Sequence, residues 1–152
     1  MAIKQLTLNQ TIKLISDIAS SHEQINTVFF GDVWEFLAQT DNTYPAMFYS
    51  LTGSSIAAKE LTMNFSLFFL DRQLQDESNE NDVLSDQLLI AQDVISMLRY
   101  PKFDWDIGDN VTLEFFTENE KDYLAGVKAD ITLAFPMLSD RCQVPTNFTY
   151  PN

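Results

Sequence analysis

Apolar residues recur along this chain in two rhythms, one of helices and one of strands. In "LTLNQTIKLISDIASSHEQ" (6–24), Leu8, Ile12, Ile15 and Ala19 fall on one face of a helix, and Leu14 and Ile18 widen it. The polar run "SSHEQ" ends that helix. "INTVFFGDVWEFLA" (25–38) is rich in Val, Phe and Trp and reads as a strand, with Gly31 as a bulge or bend. "NTYPAMFYSL" (42–51) is a second short strand after a turn marked by Asn42 and Pro45, and "TGSS" (52–55) is a loop signal. The clearest strand is "KELTMNFSLFFLDR" (59–72). Leu61, Met63, Phe65, Leu67 and Phe69 point one way, while Glu60, Thr62, Asn64, Ser66 and Phe68 point the other. Its length predicts a central place in the sheet.

A second helix is predicted in "DVLSDQLLIAQDVISMLRY" (82–100), with Leu84, Leu88, Ala91, Ile95 and Leu98 as its apolar stripe and Pro101 as its stop. After the loop "FDWDIGDN" come two more strands, "VTLEFFT" (111–117) and "YLAGVKADITLAF" (123–135). In the latter, Ala125, Val127, Ala129, Ile131, Leu133 and Phe135 alternate with polar residues. The closing stretch "PMLSDRCQVPTNFTYPN" carries three prolines and no periodicity. The expected order is α-β-β-β-α-β-β. The expected class is α+β, a small and mainly antiparallel sheet with two helices on one face. One domain over 1–140 and an extended C-terminal tail over 141–152 account for the chain. The uncovered sheet face, with Phe68, Asn64 and Thr62, is expected to meet a partner.

Composition narrows the function classes. The 152 residues hold 9 basic against 22 acidic side chains, a net charge of −13, which argues against gripping nucleic acid or an anionic membrane. With 45% apolar residues the chain is no disordered acidic tail. The stretch "MAIKQLTLNQ" lacks the apolar centre of a secretory leader, and the apolar runs are too short to span a bilayer. Both point to a protein made in the cytoplasm. Cys142 is the single cysteine, so neither an internal disulfide nor a cysteine-based metal site can form.

Chemistry is hard to place on these residues. The densest acidic stretch is "LQDESNENDVLSDQ" (74–87), with Asp76, Glu77, Glu80, Asp82 and Asp86. A calcium loop counted from Asp76 would need a central Gly where Asn81 stands and a closing Glu where Gln87 stands. Asn79, Asn81 and Asp82 suit a helix start instead, with acids at the positive end of the helix dipole. His22 is the sole histidine and suits a helix end, where it can meet free carbonyls. With no Cys or His partner nearby, it builds no usual zinc site. The four glycines, at 31, 53, 108 and 126, form no phosphate loop. "WDIGDN" around Trp105 reads either as a contact loop or as a packed turn. No catalytic residue, cofactor site or metal site is expected.

The succession "INTVFFGDVWEF", "YPAMFY", the strand ending "FLDR", "DESNENDVLSDQLLIAQDVISML", "FFTENEKDYLAGVKADITLAFP" and "DRCQVP" resembles small virion proteins of tailed phages of Bacteroidetes-type hosts, including the crAss-like phages. The element order is similar to that of phage tail-terminator and tail-completion proteins. The resemblance implies a non-enzymatic subunit without cofactor. Its copies would form a six- or twelve-fold ring in the neck or tail of the virion, beside portal, adaptor or tail proteins. It carries over no catalytic residue. Phe68, Trp105, Val144, Phe148 and Tyr150 are the residues expected to contact a second subunit or a neighbour. The competing expectation is a small acidic protein that binds and inhibits a basic, nucleic-acid-binding partner; an enzyme ranks third.

Overall fold

A computed structural model describes residues 6–39, 42–74, 76, 78–118, 123–136, 145–149 and 151. The element order is α1 (Leu8–Ser21), β1 (Thr27–Phe30), α2 (Val33–Ala38), β2 (Ala46–Ala57), β3 (Glu60–Arg72), α3 (Glu80–Leu98), β4 (Asp106–Ile107), β5 (Thr112–Glu118) and β6 (Leu124–Pro136). The class is α+β, as expected, with one six-stranded open sheet. Strands run β1-β2-β3-β6, and both β4 and β5 pair with the outer edge of β6.

Several expectations need correction, among them the two helices on one face: among the described residues there are three, and α2 packs on the opposite face. The sheet is mixed, because β1 and β2 pair parallel with Thr27 opposite Ala46. The order gains a helix and a strand. What reads as one strand over 25–38 stops at Phe30. Gly31 takes φ +153, a conformation open to glycine, and turns the chain. Asp32 then caps a short helix, its carboxylate accepting from the Trp34 amide at 3.4 Å, and Glu35 lies in the first turn. That helix reverses the chain over the sheet and makes the β1–β2 pair parallel. The "TGSS" stretch is not a loop either. It continues β2 through a register shift between Leu51 and Gly53. Its hydroxyls bond the opposite strand, with Thr52 donating to the Asn64 carbonyl at 3.1 Å and Ser54 to the Thr62 carbonyl at 2.7 Å. The hairpin therefore turns only at Ala58 and Lys59, between Ala57 and Glu60.

The central strand is where its pattern puts it, between β2 and β6. Met63, Phe65, Leu67 and Phe69 are buried with Val127, Ala129, Ile131, Leu133 and Phe135 of β6, and Leu61 packs against them. Helices α1 and α3 cover this face. Ile15 and Ala19 of α1 are fully buried, and Thr7 and Gln10 close a reciprocal cap at its start. The Tyr49 hydroxyl donates to the Ile12 carbonyl at 2.8 Å and is paired with Ser16, which ties α1 to β2; burial pushes the Tyr49 phenol above its usual range. The buried stripe of α3 is Val83, Gln87, Ile90, Ala91, Val94, Ile95 and Leu98. Ala91, Ile95 and Leu98 are buried as expected, whereas in the first half of the helix Val83 and Gln87 take the buried places and Leu84 and Leu88 flank them half-buried.

The acidic stretch is a helix start. Asn79 is the N-cap residue, and its side-chain oxygen accepts from the Leu74 amide at 2.6 Å rather than from the helix. Glu80 and Asp82 stand in the first turn. Asp82→Ala is therefore expected to cost about 0.3–1 kcal/mol in urea unfolding, the dipole contribution of a first-turn acid. A loss of several kcal/mol would assign Asp82 a tertiary contact beyond its place in the first turn. Glu77 lies outside the described residues.

Candidate functional site

The sheet face away from α1 and α3 changes character along its strands. One transverse row runs Phe29, Phe48, Phe68, Lys128, Glu114, each opposite the next on neighbouring strands. The next row is Ser50, Ser66, Asp130, Thr112, and beyond it lie Asn64 and Thr132. The aromatic end is a second core. Phe36 of α2 is buried over Ala46, Phe48, Leu70 and Leu124, with Phe29, Tyr44, Phe68 and Phe116 packed against them. Ring centroids lie 5.4 Å apart for Phe36–Phe48, 5.3 Å for Phe48–Phe68 and 5.8 Å for Phe68–Phe116. Such spacings favour offset and edge contacts between rings. The polar end carries a ladder of side-chain bonds. Ser66 donates to Asp130 at 2.6 Å, and the Thr132 hydroxyl donates to the Asn64 side-chain oxygen at 2.8 Å.

Where the two ends meet, beside α2, lies a concavity of about 500 Å³ lined by Phe30, Gly31, Asp32, Val33, Phe48, Ser50, Leu51 and Phe68. Its lining mixes apolar side chains with Asp32 and Ser50. Beside it, Trp34 projects from α2 and is 75% exposed. At the opposite lateral edge, on β5, Phe115 is 56% exposed. Within the described residues β1 pairs only with β2, and β5 only with β6. The sheet thus has an exposed aromatic side chain near each of its two lateral edges.

The five residues singled out for contact fall in different settings. Phe68 lies on the face away from α1 and α3, as its alternation requires, but α2 covers that face here, and Phe68 is half-buried among Phe48, Phe116 and the Lys128 ammonium, 5.8 Å from its ring centre. Trp105 is 6% exposed and belongs to the main core: its indole nitrogen donates to the Leu98 carbonyl at 2.8 Å, and its ring packs on Phe103 at 4.8 Å. It is the packed turn that fixes the end of α3. Phe148 is 64% exposed, in a described segment, 145–149, outside any helix or strand. Val144 and Tyr150 lie outside the described residues, as does Cys142. The residues that sequence reasoning missed are Trp34 and Phe115, both placed inside apolar strand runs. The Gly31–Asp32 pair, a turn residue followed by a capping residue, is the signal that separates Trp34 from the strand.

His22 closes α1 with its backbone amide on the Ala19 carbonyl at 3.2 Å. Its ring does not serve the free carbonyls as expected. Nδ1 accepts from the Gln24 amide at 3.1 Å, and Nε2 faces the Asp93 carboxylate of α3 at 2.9 Å, joining the two helices. Among the described residues no three His, Cys, Asp or Glu side chains are grouped to hold a metal ion. No helix among them is long and apolar enough to cross a membrane. No protein-family model matches the chain, and no curated protein is significantly similar to it.

Proposed function

We propose that this chain is a non-enzymatic structural subunit whose copies close into a ring, at the neck or tail of a tailed phage between portal and tail proteins. The observation that carries the reading is the pair of exposed aromatics near opposite edges of one sheet, Trp34 beside β1 and Phe115 on β5. A contact between two different edges is heterologous, and a heterologous contact that closes produces a ring. The concavity beside Trp34, lined in part by Phe30, Val33, Phe48 and Leu51, gives the neighbour's Phe115 edge a partly apolar seat. The exposed Phe148 segment adds a third apolar contact, toward an adjacent ring. In a six- or twelve-fold assembly, a net charge of −13 per subunit repels passing DNA from the channel wall.

Two edge variants test this. Trp34→Glu and Phe115→Glu each remove one half of a heterologous contact, so each variant alone is expected to sediment as a monomer. Mixed together, they retain one intact edge each and are expected to form a dimer and nothing larger. Assembly of either variant at the same size as the unmodified chain would remove these edges from the interface.

A further inference from the structure

Strand β2 outruns its neighbour. It extends over Ala46–Ala57, but β1 accompanies it only as far as Tyr49. The Gly31 amide bonds the Tyr49 carbonyl at 3.1 Å, and there Gly31 turns the chain away into α2. Among the described residues nothing pairs with the outer edge of β2 over 50–57. This open edge is well anchored on its inner side. Thr52 and Ser54 bond carbonyls of β3, and the Ser55 hydroxyl meets that of Thr62 at 2.6 Å. Exposed edges are ordinarily blunted by charges or prolines. The run "SLTGSSIA" (50–57) carries neither, and beyond the shift between Leu51 and Gly53 its pairing with β3 is regular.

The ladder fixes which backbone groups the edge offers. The two-residue turn at Ala58 and Lys59 sets Ala57 and Glu60 as a bonded pair, so alternation points the backbone groups of Ser54 and Ile56 outward. On the other side of the sheet, the Gln73 amide bonds the Tyr123 carbonyl at 2.7 Å, which places the odd-numbered residues of β3 and β6 in bonded pairs. The even-numbered residues of β6 then bond β5, and Leu113, Phe115 and Thr117 present their backbone groups outward. Both open edges also carry an apolar side chain in water. Ile56 lies opposite Leu61 and is 69% exposed; Phe115 lies opposite Val127 and is 56% exposed. Leu61 and Val127 belong to the α1/α3 side of the sheet, so Ile56 and Phe115 share that side.

The two edges are complementary. Strand β2 opposes β3, β3 opposes β6 and β6 opposes β5, so β5 runs against the direction of β2. Rotation about an axis along the strands keeps both strand direction and sheet side. A neighbour's β5 therefore reaches β2 antiparallel, with its Phe115 on the side of Ile56. Setting Phe115 opposite Ile56 also sets Thr117 opposite Ser54, and outward groups meet outward groups. Glu114 then falls opposite Ala57, two residues from Lys59 in the turn. Both are charged, and among the described residues neither takes part in an ion pair. We infer that residues 53–57 of β2 receive residues 114–118 of a second copy's β5 as an added antiparallel strand, so that the sheets of successive subunits are continuous. The inference rests on the ring reading and specifies the contact that closes the ring.

Cysteine pairs test the register. In a chain carrying Cys142→Ser, the pair Ile56→Cys and Phe115→Cys is expected to give a ladder of covalent multimers on mild oxidation, lost on reduction. A bonded antiparallel pair holds its α-carbons about 5.5 Å apart, within disulfide reach. Ser55→Cys with Phe115→Cys, on opposite sides of the sheet, is expected to cross-link at least tenfold less. Ile56→Glu, at an exposed position, is expected to keep the parent's melting temperature and to sediment as a monomer. The inference is overturned if the first pair does not cross-link, if the two pairs cross-link equally, or if Ile56→Glu assembles like the parent. Covalent dimers from Ile56→Cys alone would equally overturn it, because β2 would then meet its own copy. The mass of the parent separates the two proposals. A parent that reaches ring mass while these tests fail removes the strand pairing and leaves the ring. Specific cross-linking in a parent that never exceeds a dimer removes the ring and leaves the pairing.

Discussion

Phe65→Ala is expected to remove about 3–5 kcal/mol of folding stability, the range for truncating a fully buried phenylalanine. Phe65 lies at the centre of β3 with 1% of its surface exposed, between Leu51 of β2 and Ile131 of β6, and its ring meets Tyr49 at 6.3 Å. A domain of this kind has only about 5–15 kcal/mol in total. Phe68→Ala, three positions on and on the opposite face, is expected to cost about 1–2 kcal/mol, within the ordinary range for single substitutions. Phe68 is half-buried, and the aromatic cluster around it keeps Phe36, Phe48 and Phe116. Urea unfolding of both variants checks the pair. Equal losses would mean that the α2-covered face is as tightly sealed as the α1/α3 face, and the open-face account would fail.

Gly126→Ala is expected to be as damaging, at about 3 kcal/mol or more, the upper end for overpacking. A β-carbon at Gly126 would stand 2.0 Å from the Phe69 carbonyl oxygen and 2.9 Å from the Leu70 α-carbon. Both are backbone atoms of the paired central strand, so no side chain can swing aside, and the β3–β6 pairing itself must shift. Gly108 is the internal control. A β-carbon there meets nothing within 4 Å, so Gly108→Ala is expected to stay within about 0.5 kcal/mol of the parent. Thermal unfolding of the two alanine variants measures the contrast. A neutral Gly126→Ala would show that β3 and β6 do not approach as closely as described.

The parts of the fold that are legible in the sequence are those in which one physical rule acts alone. Residues 61–69 and 125–135 carry apolar side chains at every second position because each strand buries one face under α1 and α3, and both form long strands, Glu60–Arg72 and Leu124–Pro136; Leu70 and Leu124 break the alternation where the other face is covered as well. The first helix is legible from its repeat, with Ile15 and Ala19 buried as expected though Leu8 is exposed and Thr11 buried, and it ends within its polar run at Ser21. Illegible elements are those where local composition and tertiary context disagree. The segment Val33–Ala38 is β-rich in composition but helical, because Gly31 turns the chain and Asp32 caps the first helical turn. Thr52, Gly53, Ser54 and Ser55 have the composition of a loop, yet the facing strand supplies acceptors for the hydroxyls at Thr52 and Ser54 and extends the hairpin through them. In the first half of α3, Leu84 and Leu88 draw the expected stripe one position away from Val83 and Gln87, which hides the burial of a polar residue, Gln87, in the core. For the proposed contacts, alternation alone places Phe68 on the face away from α1 and α3 but leaves Trp34 and Phe115 inside strand runs. Their exposure depends on where the sheet ends, which no local pattern specifies.

The most direct measurement on the central proposal is the mass of the unmodified 152-residue chain in solution, followed across a wide concentration range by light scattering or native mass spectrometry. The ring account predicts a closed oligomer whose mass is six or twelve times that of the 152-residue subunit and which stops growing once it has formed. A chain that stays monomeric or dimeric at the highest concentration reached, with Trp34 and Phe115 intact, would contradict it.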